Sequence, residues 1–170
     1  MPWFRTLLWI GTISLMIVLS VKSFRLRSTH VSTVEAFEMA DQTEAKEILQ
    51  SWNDASVEHS VINSIRLDYL FIGFYVLLMI NYSNHQMNKE RNLILNNLLR
   101  FNIALSIDTG ILDIAENIIM MHNIRSIDEY FPTAVISIMK FTFAGWIIVV
   151  WLVSVGKGAL SRKAYAWLSG

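Results

Sequence analysis

Three side chains of the third apolar run carry chemistry at helical spacing: Asp113, Glu116 and Asn117 stand at i, i+3 and i+4. That spacing puts two carboxylates and a carboxamide on one face of a helix. Such a face can bind a cationic or hydroxylated group, or pass protons between acid and base. A fourth apolar run contains a single charge, Lys140, which has the chemistry of a Schiff-base or proton-transfer residue. An ammonium in hydrocarbon demands a counter-charge, and pairing with Asp113 or Glu116 is the simpler expectation. The second run adds Asp68, Tyr75 and Tyr82 at intervals of seven, hence on one face, with the carboxylate near the mouth and the phenols deeper. The candidate cluster is therefore Asp68, Tyr75, Asp113, Glu116, Asn117 and Lys140. Asp68, Asp113 and Glu116 against Lys140 alone leave a negative excess. Proton sharing, a bound cation, penetrating water, or Arg66 or Arg100 folding inward would each resolve it.

These residues need elements that hold them away from lipid. Asn102, Ser106, Thr109, Asp113, Glu116 and Asn117 project within an arc of roughly 100° on a helical wheel, a polar stripe that should face inward. Arg100 and Asp108 lie off it. Thr133, Ser137, Lys140, Ala144 and Trp151 form the matching stripe of the fourth run, and close helix contacts are expected at Gly110 and Gly145. Hydrophobic residues make up 54% of the 170 residues and charged ones 16%, a balance suited to lipid rather than water. The expected fold is all-α, an integral membrane four-helix bundle forming one domain over 1–170, with helices at about 4–22, 61–83, 93–121 and 133–155. The first, flanked by Arg5 and by Lys22, Arg25 and Arg27 without a small-residue cleavage pattern, reads as a retained signal anchor. An acidic extramembrane segment, 28–60, carries a short amphipathic helix between the first two spans. There Asp41 and Glu44 have capping-box spacing, and Ala45, Ile48, Leu49 and Trp52 form an apolar stripe. Tyr165 and Trp167 in the tail are expected at an interface.

Several functions are disfavoured. Fourteen basic and fourteen acidic side chains cancel, so no basic field draws nucleic acid. There is no cysteine for thiol chemistry, and His30, His59, His85 and His122 lack metal-ligand spacing. No nucleophile elbow, phosphate loop or dinucleotide fingerprint occurs, so neither metal nor cofactor is expected. Membrane lipids and a hydrophobic small molecule are the expected partners, with a homo-oligomer or a protein partner on segment 28–60 as further expectations. Four crossings place Arg5, Lys89, Arg91, Lys157, Arg162 and Lys163 on the side of the termini. Lys22, Arg25, Arg27, Lys46, Arg66 and Arg125 fall on the other, six against six. The positive-inside rule is thus tied, and only the acidic segment leans toward cytoplasmic termini in a bacterial inner membrane.

The string around Phe37 and Glu38, Trp52, "RLDYLFIGFY" (66–75), "GILDIAEN" (110–117) and "MKF" around Lys140 resembles an uncharacterised bacterial family of small four-helix membrane proteins. The likeness spans about 34–145, rests mainly on L-D-x-x-F and G-x-x-D-x-x-E-N, and implies a fold without an activity. A looser analogy links the intramembrane carboxylates to sterol isomerases and sigma-type binders of the EXPERA superfamily, whose motifs are absent. Three functions follow from the residues. One is a pocket that binds or converts a lipid-like molecule. The others are a structural protein whose polar cluster fixes helix packing, and a proton- or cation-coupled transporter, against which stands the absence of internal repeats.

Overall fold

The structure, a computed structural model, describes residues 2–168, with side chains described for 3–157. Among the described residues the chain is all-helical: α1 (Pro2–Ser28), α2 (Val34–Met39), α3 (Gln42–Asp54), α4 (Glu58–Met87), α5 (Leu93–Arg125) and α6 (Ala134–Leu168), with a 3-10 turn at Ile127–Glu129. By length and composition α1, α4 and the Ala134–Lys157 part of α6 suffice to cross a membrane.

Local chemistry sets the ends. Helix α1 continues through Lys22, Arg25 and Arg27, well past residue 22, and stops in a Schellman turn. There Val31 N–H donates to Leu26 O at 3.0 Å and His30 N–H to Arg27 O at 3.1 Å, with His30 at φ 58°. Helix α3 ends in the same way, Ser56 taking φ 55°. Its start is the expected capping box: Asp41 Oδ1 accepts from Thr43 and Glu44 N–H at 2.8 and 2.9 Å, and Glu44 reaches back to Asp41 N–H. Asn92 caps α5 through Leu95 N–H at 3.0 Å.

Besides α1, three helices run beyond expectation for one reason: the apolar run marks only the part of a helix suited to lipid, whereas backbone hydrogen bonding continues past it. Helix α4 extends to 58 and 87, α5 to Arg125, and α6 through Gly156 to Leu168. Arg162, Lys163, Tyr165 and Trp167, expected in an interfacial tail, lie outside the residues with described side chains. A fourth correction concerns segment 28–60, which forms two helices rather than one, because Thr33 caps a separate turn at Val34–Met39 by accepting from Ala36 N–H.

Helix α5 lies between α4 and α6, and α1 packs on α4. Helices α2 and α3 cover the end where α4 begins and α5 finishes. A compact core there joins Phe37, Ile48, Trp52, Val61, Ile65 and Met120. The Phe37 and Trp52 rings meet at a tilt of 46° with centroids 5.1 Å apart, and Trp52 Nε1 donates to Ser32 O at 2.7 Å. At the opposite end Trp151 Nε1 donates to Ser83 Oγ at 2.8 Å, Tyr82 rests on Trp151, and Lys157 pairs with Glu90 at 2.6 Å. Close approach falls at Gly11, against the Phe74 ring, and at Gly110, where an added Cβ would sit 2.7 Å from Val76 Cγ2. Gly145 has open space instead, which corrects the expected contact there: it lies on the outward side of α6.

Candidate functional site

Helix α5 turns its polar stripe inward. Asn102, Ser106, Thr109, Asp113, Glu116 and Asn117 are all buried, and isoleucines at 107, 111, 114 and 118 take the outside. The register follows from packing: α5 has a helix on either flank, so the face between them is the one with polar neighbours. Helix α6 contributes Ser137 and Lys140, one and two turns from its start, and Thr133 stands just before it; all three are buried. Helix α4 contributes Tyr75 and Asp68, the first buried and the second half-buried.

These side chains meet around the Lys140 ammonium. Its Nζ donates to Asp113 Oδ1 at 2.9 Å and to Glu116 Oε2. Tyr75 Oη donates to the other oxygen of Asp113 at 2.7 Å, and Ser137 Oγ donates to Glu116 Oε1. Asn117 Nδ2 donates to Asp68 Oδ2 at 2.7 Å, so Asp68 joins the site through α5 rather than through the lysine. Tyr82, on the same face of α4 as Tyr75, belongs to the aromatic group at the far end. Arg66 and Arg100 are exposed, and neither folds in to balance the carboxylates.

The structure adds one residue that the sequence did not single out for the cluster. Glu38 of α2 places Oε2 3.8 Å from Lys140 Nζ, with 13% of its side chain exposed. Helix α2 is held there by Thr133 Oγ1 donating to Glu38 O at 2.7 Å and by Tyr130 Oη donating to Ala40 O. Burial drives the Glu38 carboxyl up to about 8; Lys140 opposes the rise, and Glu116 and Asp113 reinforce it. Glu35, one turn earlier on the exposed side, behaves oppositely. There burial is outweighed by hydrogen bonds from Thr33, its own backbone N–H and Ser23, together with Arg27, so its carboxyl stays below the ordinary range. The available signal for Glu38 is its position beside Phe37, the most buried residue of a short capped helix.

Chemically, the site is one ammonium within 4 Å of three carboxylates, bordered by a phenol and an alcohol. To Asp68, Asp113 and Glu116 against Lys140, Glu38 adds a fourth acid, and the proton it holds below about pH 8 keeps it from adding a full charge at neutral pH. Lys140 occupies the focus where a metal cation would need to sit, and among the described residues no group of three or more acidic or histidine side chains has metal-holding geometry. The arrangement suits proton exchange and recognition of a polar head that donates hydrogen bonds.

Three helices apt to span a membrane, with polar residues turned inward and aliphatic ones outward, define the class as that of helical membrane proteins. Comparison with protein-family models, curated proteins and solved structures returns no match for the chain.

Proposed function

We propose that the chain is an integral membrane four-helix bundle in which α5 crosses beside α1, α4 and α6, and that its carboxylate–lysine centre binds the polar end of a lipid-like molecule. Helix α5 is 33 residues long, and its carboxyl groups at Asp113 and Glu116 are paired with Lys140 rather than presented to lipid. The observation that carries the binding role is the surplus of carboxyl groups: Asp113 and Glu116 already satisfy Lys140, while Glu38 stands farther away, 3.8 Å from its Nζ, at the edge of the cluster. A hydroxylated or cationic head entering beneath α2 would gain Glu38 as acceptor, and Tyr75 and Asp68 lie on the α4 side to complete the polar lining. Glu38 is the group that would give up or take the proton on entry.

The test is native mass spectrometry with lipid analysis on detergent-purified protein, wild type beside Glu38→Gln. Glu38→Gln leaves the Lys140 pairs with Asp113 and Glu116 intact, so the fold should persist. Retention of one defined molecule by the wild type, lost at least tenfold in the variant, supports the reading; equal retention, or none in either, rejects it.

A second reading has its own observation: both oxygens of Asp113 and of Glu116 are hydrogen-bonded, and with Glu38 beside Lys140 the network joins α2, α4, α5 and α6. On that reading the centre fixes packing alone. Lys140→Met would then cost about 3–5 kcal/mol, and Lys140→Met with Asp113→Asn and Glu116→Gln would recover most of it. Thermal unfolding in detergent decides this independently of ligand retention.

A further inference from the structure

The outward face of α5 carries two charges that the polar centre does not use. Arg100 and Asp108 are both exposed, and among the described residues neither has an ion-pair or hydrogen-bond partner. They stand on a strip that also holds Asn97 and three large apolar side chains, Phe101 53%, Ile107 47% and Ile111 59% exposed. An unpaired carboxylate near the middle of a membrane helix is costly and calls for a partner from outside the chain.

The spacing identifies that partner. Ala104 is exposed and lies midway: Arg100 is four residues before it and Asp108 four after, Phe101 three before and Ile107 three after, Asn97 seven before and Ile111 seven after. About 100° per residue puts all seven within roughly 60° of Ala104 on the wheel. A second α5 laid antiparallel, with the two-fold axis at Ala104, brings Arg100 level with Asp108 of the other copy at both ends of the contact. The small Ala104 side chain lets the backbones approach at the crossing. In a parallel pair the same charges would be offset by eight residues, about 12 Å along the axis.

Antiparallel pairing across a membrane requires that the chain insert in both orientations. A second, independent feature allows it: with four crossings, six basic residues lie at each end, so the positive-inside rule favours neither orientation. We infer that the protein forms an antiparallel, dual-topology dimer through the outward face of α5, held by reciprocal Arg100–Asp108 pairs. This rests on the four-crossing reading above, but not on a ligand.

The chain has no cysteine, so introduced thiols report cleanly. Two tagged variants, Asn97→Cys and Ile111→Cys, are co-expressed and oxidised in native membranes. The expected result is a mixed 97–111 cross-link, reduced at least tenfold by adding Asp108→Lys and restored by the charge swap Arg100→Asp with Asp108→Arg. Like-with-like cross-links, 97–97 and 111–111, or none at all, would overturn the proposal. In parallel, Asn88→Cys and Asp128→Cys are labelled from one side of sealed vesicles with an impermeant maleimide. Dual topology gives about half labelling at each position, never both in one molecule carrying the two changes. Uniform labelling at one position only rejects dual topology while keeping four crossings. Labelling of both in one molecule shows instead that α5 does not cross, and the four-crossing reading fails.

Discussion

At the scale of single residues, Glu38 differs from the other acidic groups of its segment because the end of its side chain is buried beside an already paired lysine. It faces Lys140 from α6, Asp113 and Glu116 from α5, and Glu35 from its own helix. Its carboxyl binds a proton more tightly in the folded protein, at about 8 against an ordinary 4.5. Between those values the folded state holds a proton that the unfolded state has released, so the Glu38 contribution is fully present below the lower value. It declines as pH rises to the upper one, by no more than about 1.4 kcal/mol per pH unit. Wild-type protein should therefore lose thermal stability relative to Glu38→Gln from pH 5 to pH 8. Melting curves of both proteins at half-unit steps measure the difference, and parallel curves would remove Glu38 from the buried centre. Of the centre itself, Asp113, Glu116 and Lys140 were legible because a charge inside an apolar run must find a partner. Glu38 was not, since an acidic residue among six others in a polar segment has a solvated surface as its default reading.

At the scale of elements, α5 packs tightly against α4 at Gly110, and the neighbour is the stiff, β-branched Val76. Gly110→Ala gains about 1 kcal/mol of helix propensity, yet the added methyl must displace Val76 or spread the helices. We expect a net loss of about 1–3 kcal/mol, recovered by Val76→Ala in the double variant. A thermal-shift cycle of the four proteins measures the coupling, and a stabilised single variant would contradict the close approach. The periodicity of apolar and polar residues sufficed to locate α4, α5 and α6 and the inward stripe. It failed at Gly145, because a glycine in a helix has the same composition whether another helix or lipid lies beside it. It also missed the Schellman ends of α1 and α3, whose left-handed positions are His30 and Ser56 where glycine would have been the signal.

At the scale of the whole molecule, α5, the long helix with the most charged residues, is also the most enclosed. Twelve residues of α5 are buried against seven of α4. This arrangement follows when the surrounding medium is lipid: the helix with charges in its middle gains most from protein neighbours, while α1, whose charges lie at its two ends, needs only one. The number of long helices was therefore legible from the sequence, but their relative placement required knowing which polar groups find one another. The same ranking should govern local opening. Exchange in α5 requires separation from both α4 and α6 and rupture of the Lys140 network, whereas α1 can detach after losing contacts chiefly with α4. In detergent, hydrogen exchange followed by mass spectrometry should give the slowest amides in the 102–117 part of α5 and the fastest long-helix amides in the 9–20 part of α1. Faster exchange in α5 than in α1 would mean that the polar centre is an opening element rather than the interior of the fold.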